Sequence, residues 1–99
     1  MSRLAEQASP PDADPNPTAC FSVSGAPSPG LMPRVLELFA KRGLVPDAFH
    51  GSVADGRLTV EVRAAGMDEA LAGYIGRCLR QIHLVERVLV SMDAKRDGA

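Results

Sequence analysis

Residues Arg57 to Ala64 alternate polar and apolar side chains without a break, and they follow directly on Asp55-Gly56. A period of two puts Leu58, Val60 and Val62 on one face of a strand and Arg57, Thr59, Glu61 and Arg63 on the other. Asp-Gly tolerates the positive φ that both central positions of a two-residue hairpin turn require, so an antiparallel partner is expected just before it. A strand apolar on one side only must be covered there by other parts of the chain.

Thr18 to Gly25 is a second half-buried strand pattern, with Phe21 and Val23 alternating with Ser22 and Ser24. The cluster Ala26-Pro-Ser-Pro-Gly30 is a turn. Leu31, Val35, Leu38 and Phe39 then recur at helical spacing, with Arg34, Glu37 and Lys41 between them. Pro33 suits the first turn of that helix, where a missing N–H costs nothing, and Gly43 suits its left-handed stop. Leu44 to Ala54 reads as an edge strand, weakened by Pro46 and Gly51. Met67 to His83 is a second helix, whose stripe is Met67, Ala70, Leu71, Tyr74, Ile75, Cys78, Leu79 and Ile82. Gly73 and Gly76 each weaken it by about 1 kcal/mol relative to alanine, a cost that close approach to a sheet offsets. Leu84 to Ser91, rich in valine and leucine, is the last strand.

The order is βαββαβ. Two right-handed crossovers joined by a hairpin give an α+β, ferredoxin-like sandwich, a four-stranded antiparallel sheet with two helices on one face. The opposite face carries Cys20, Ser22, Ser24, Thr59, Glu61 and Arg63. With 99 residues there is room for one such domain, expected over residues 18–92. Residues 1–17 hold four of the eight prolines and read as a flexible tail, and 93–99, charged and glycine-containing, as a fraying end. A net charge of -1, from 11 basic and 12 acidic side chains, argues against a coat for nucleic acid or an acidic membrane. No stretch is apolar enough for a membrane span or a secretory signal, so a cytoplasmic address is expected. Cys20 and Cys78 stand far apart and read as reduced apolar packers, with no metal-ligand spacing around either.

Pro29 to Gly43, Pro-Gly-Leu-Met-Pro-Arg-Val-Leu-Glu-Leu-Phe-Ala-Lys-Arg-Gly, resembles the PG-x-L-x-R-V-x-x-L-F-x-x-R-G region of ACT domains, in particular the small regulatory subunit of acetohydroxyacid synthase. Leu79, Ile82, Val85 and Val88 keep that family's apolar spacing downstream, so the likeness runs from about Phe21 to Val90. The resemblance implies a homodimer paired through the second strand, with a small amino acid held at the seam near the first strand–helix turn. The matching positions are Gly30, Leu31 and Met32, with Ser28 as an added hydroxyl and Val45 in the strand beyond the Arg-Gly pair. A helix N-terminus there would offer N–H donors and a positive dipole end to the ligand's carboxylate. Pro27 and Val45 stand where valine-sensitive members carry asparagine, which leaves a divergent specificity or a purely structural pairing module. The synthase's cofactors belong to its catalytic subunit, so none is expected here.

Other residues carry blander readings. His50 is a solvent-facing edge residue, and His83 a favourable cation at a helix carboxyl end. Arg34, Lys41 and Arg42, like Arg77, Arg80 and Arg87, read as solvated faces. An acylphosphatase-like enzyme would need an arginine in the first strand–helix loop, where there is none before Arg34. RNA binding would need aromatics on the open sheet face. The expectation is a non-enzymatic regulatory domain serving a partner catalytic subunit, or a ligand-free module docking through its sheet edge.

Overall fold

The computed structural model describes residues 17–93. The elements are β1 (Thr18–Gly25), α1 (Leu31–Ala40), β2 (Ala48–Ala54), β3 (Arg57–Ala64), α2 (Glu69–Arg80) and β4 (Val85–Asp93). The four strands form one antiparallel sheet in the order β2-β3-β1-β4, which leaves β2 and β4 at its margins. Both helices contribute to a single core on one side of the sheet. The expected ferredoxin-like βαββαβ sandwich is the observed fold.

The two alternating patterns lock together. Phe21 lies opposite Val62, and Val23 opposite Val60, in the β1–β3 ladder, and all four side chains are buried. A slip of one residue would turn every one of them to solvent, so burial fixes the register. Asp55 and Gly56 take φ of 55° and 71°, the two positive values that the hairpin demands, and Ala54 pairs with Arg57 across them. Above this sheet Leu31, Val35 and Phe39 project from α1 as its spacing predicts. Gly43, at φ 70°, donates to the Ala40 carbonyl, while Leu44 N–H reaches back to Phe39, the Schellman pattern of a glycine stop.

Several boundaries differ from the sequence reading. The second strand begins at Ala48, not Leu44. Leu44 is spent on the helix stop and Pro46 has no donor, so pairing starts only where Asp47 N–H meets the Arg63 carbonyl at 2.7 Å. Val45 is therefore a connecting-loop residue, 86 % exposed. The second helix begins at Glu69, because the Asp68 carboxylate accepts the Leu71 N–H at 2.7 Å and caps it. Met67 lies outside the helix yet is buried. We expect Asp68→Ala to lower the melting temperature by about 5 °C, the equivalent of about 1 kcal/mol for a lost cap in a domain this size, as read by thermal denaturation.

The face that α2 buries is also rotated from the expected stripe. Ala72, Ile75, Gly76 and Leu79 point inward, whereas Ala70 and Tyr74 are exposed. Gly76 supplies the expected close approach: a Cβ there would come within 2.7 Å of Val90 Cγ2. Gly73 does not, since its nearest neighbour would be Arg77 Nη1 at an ordinary 3.7 Å. The helix ends at Arg80, so His83 sits in the α2–β4 turn, not on the helix. The last strand runs two residues further than expected, to Asp93, which pairs with Thr18. Asp93 thus belongs to the sheet and not to the fraying end, and Pro17, expected in the N-terminal tail, accepts the Met67 N–H at 3.3 Å; the rest of both expected tails, residues 1–16 and 94–99, lies outside the described residues.

Candidate functional site

The turn from β1 into α1 is the natural place to look for a ligand, because the chain there spends backbone donors on little else. Leu31 N–H bonds the Ser28 carbonyl at 3.1 Å, Arg34 N–H bonds that of Gly30 at 3.3 Å, and Pro33 has no N–H. The amides of Gly30 and Met32 have no hydrogen-bond partner among the described residues. Beside them lies a hollow of about 160 Å³, lined by Ser28, Gly30, Leu31, Arg34, His83 and Leu84.

Gly30 itself is informative. Its φ of -88° is open to any residue, and a Cβ built on it would meet nothing within 4 Å. Neither backbone conformation nor packing among the described residues calls for glycine here. Gly25, five residues earlier, is the opposite case: a Cβ there would lie 2.1 Å from the Leu84 carbonyl oxygen. That carbonyl also accepts the Ala26 N–H at 3.3 Å, and Leu84 is held at φ 81°, a left-handed conformation that few non-glycine residues adopt. Gly25 thus lets the α2–β4 turn press against the end of β1, and that contact sets His83 and Leu84 beside the Gly30 turn.

The five residues expected at the site fall in three places. Ser28, Gly30 and Leu31 line the hollow. The Met32 side chain turns to the flank of α1 that faces β2, where its Sδ would meet a Cβ placed on Gly51 at 2.5 Å. Val45 lies beyond the far end of α1, about 15 Å along the ten-residue helix from Gly30. Conversely, Arg34 and His83, read from sequence as a solvated helix face and a helix-end cation, line the hollow, and no acidic side chain does. Arg34 follows Gly30 by one helical turn, a spacing that would have placed it there. Nothing in the sequence signals His83, which arrives through tertiary folding alone.

The larger hollows are more open to solvent. One, of about 380 Å³, runs along β4 beside Arg80. Another, of about 350 Å³, lies on the open sheet face between Cys20, Ser22, Glu61, Arg63, Leu89 and Ser91. There Arg63 Nη1 donates to Asp93 at 3.1 Å and lies 3.3 Å from Cys20 Sγ. Burial, together with the Asp93 hydrogen bond, raises the Cys20 thiol above its ordinary pKa despite Arg63, which lowers its thiolate fraction. On the helix side Arg42 stacks over the Tyr74 ring and donates to its hydroxyl at 3.0 Å, tying the stop after α1 to α2. Among the described residues no cluster of His, Cys, Asp or Glu could hold a metal ion, and no helix is long and apolar enough to cross a membrane.

The fold is that of a known class. A family model for the ACT-like domain matches residues 12–96. The chain belongs to the ACT-like domain family. Among solved structures it is similar to the ACT domain of the GTP pyrophosphokinase of Chlorobium tepidum, with a TM-score of 0.67 and 14 % identity over 77 % of this chain and 99 % of that one. An ACT domain protein from Streptococcus pneumoniae gives 0.62 and 21 % over 78 % and 90 %. The C-terminal domain of the MgtC protein from Mycobacterium tuberculosis gives 0.61 and 11 % over 83 % and 94 %. These are likenesses of fold. No curated protein sequence matches the chain. ACT domains are in general regulatory, ligand-binding modules and not catalysts, and this ACT-like domain shares their architecture.

Proposed function

We propose that this ACT-like domain regulates a partner metabolic enzyme by binding a small amino acid or related metabolite at the β1–α1 turn of a homodimer, in the manner of acetohydroxyacid synthase regulatory subunits. The observation that carries the reading is Gly30, a glycine that packing among the described residues does not require, opening a hollow beside amides that have no partner among those residues. A carboxylate fits what lines it, since Arg34 and His83 are basic and the helix dipole adds its positive end. The second copy pairs along β2. Two-fold symmetry makes such strands antiparallel, which carries the Val45 end of one protomer toward the Met32 end of the other. In this arrangement Val45 serves the partner's turn, not its own.

A ligand-free docking module is favoured by a different feature. Met32, Leu36 and Val53 are 39 %, 43 % and 62 % exposed, on the side of the molecule where α1 flanks β2. An apolar flank along an unpaired strand suits a protein partner with or without an effector. Calorimetric titration with branched-chain and with acidic amino acids separates the two. The sensor reading expects saturable heat, and a Gly30→Ala variant that loses at least tenfold in affinity while its stability moves by less than about 1 kcal/mol, because the added methyl touches nothing in the free chain. Absence of heat and of any thermal shift at millimolar concentrations would remove the sensor and leave the docking module.

A further inference from the structure

The sheet has two margins, and they are finished differently. β2 offers seven residues, Ala-Phe-His-Gly-Ser-Val-Ala, with no Asp, Glu, Lys, Arg or proline, in unbroken register with β3 from Ala48 opposite Arg63 to Ala54 opposite Arg57. β4 is longer, nine residues with three valines and a leucine, and by composition the more inviting template for another strand. Yet its register breaks at Ser24 and Gly25, where Arg87 and Val85 are the successive partners and Glu86 is left over as a bulge. Glu86 then reaches across the end of β1 to pair with Arg57. A few residues on, Arg80 of α2 donates from Nη2 to the Val88 carbonyl at 3.1 Å. The close seat of Gly76 against Val90 brings α2 low over this strand, and Arg80, one turn later, meets the strand's backbone.

We infer that Arg80 and the Glu86 bulge close the β4 margin to strand addition, so that pairing between copies is confined to β2 and assembly stops at two. The inference rests on the β2 pairing proposed above for its dimer, but the closure of β4 is read independently. A strand adding to β4 must strip a charge-assisted hydrogen bond from Val88 and cross a bulge that interrupts the ladder. Without that closure, two open margins on each protomer would pair β2 to β2 and β4 to β4 in alternation, and the product would be an open-ended chain, not a closed dimer.

Sedimentation velocity on the full chain over a wide concentration range tests this with four proteins. The original chain is expected as two copies, and Val53→Lys, which places a charge on the β2 margin, as one. Arg80→Ala is expected to grow beyond two copies as concentration rises, with at least tenfold stronger association than the original. Val53→Lys combined with Arg80→Ala is expected to recover a pair through β4. Arg80→Gln replaces Arg80→Ala if circular dichroism shows that the alanine variant has lost the fold. A single-copy original chain would overturn the β2 dimer alone. Arg80 variants matching their Arg80 parents at every concentration, with and without Val53→Lys, would overturn the closure of β4.

Discussion

Gly25→Ala is expected to cost about 3 kcal/mol or more, enough to leave a domain of this size largely unfolded or to push the α2–β4 turn off the sheet. The reason is geometric. The new methyl would sit 2.1 Å from the Leu84 carbonyl oxygen and within 3.2 Å of Val85 Cα, and both are backbone atoms that no rotamer change can move aside. Gly51→Ala is the instructive contrast. Its Cβ would also meet an atom too closely, at 2.5 Å, but that atom is Met32 Sδ near the end of a flexible, half-exposed side chain that swings away at little cost. Urea denaturation of the two variants checks the difference. Equal midpoints for Gly25→Ala and Gly51→Ala would show that the Leu84 turn yields as readily as a thioether. Because His83 and Leu84 belong to that turn, any folded fraction of Gly25→Ala should also bind ligand poorly, linking a packing constraint to the candidate site.

The second large effect is in the core. Phe39→Ala is expected to destabilise the protein by about 3–5 kcal/mol, a fall in melting temperature of roughly 15–30 °C. Phe39 is fully buried, and its ring meets Phe21 edge to face at a centroid distance of 5.4 Å and 78° between planes. Truncation loses the transfer energy of the ring, opens a cavity between α1 and β1, and removes the preferred aromatic geometry. Phe39→Leu keeps most of the volume and is expected to lose less than half as much. Calorimetric melting of both variants gives the comparison, and a Phe39→Ala loss below about 1.5 kcal/mol would mean that α1 collapses onto the sheet far more readily than a close-packed core allows.

The elements that could be read before folding are those whose cause is local. The alternation in β1 and β3, the Asp55-Gly56 hairpin and the glycine stop at Gly43 each depend on a few neighbouring residues and on backbone geometry alone. Elements whose bounds a distant residue decides are not legible in this way. Leu44 and Val45 have strand-like side chains, but the helix stop and Pro46 withhold them from the ladder until Asp47 finds the Arg63 carbonyl. The large apolar residues of α2 suggest one stripe, whereas the buried face includes Ala72 and Gly76, and at Gly76 the missing side chain lets the helix sit low on β4. The candidate site divides in the same way. Ser28, Gly30 and Leu31 stand in one continuous turn that sequence can mark, while His83 joins them from across the fold.

Sequence alone determined the order of elements, the sided character of the sheet and the glycine turn that opens α1. Tertiary structure decided that Leu84 must adopt a left-handed backbone beneath Gly25, that Arg34 and His83 face one hollow while Met32 turns to β2, and that Arg80 ends against Val88. The division has a physical origin. Periodicity and turn chemistry act over one or two turns of chain, whereas close approach and margin closure depend on which strands become neighbours, and only the packed sheet brings residues from β1, α2 and β4 within reach of one another.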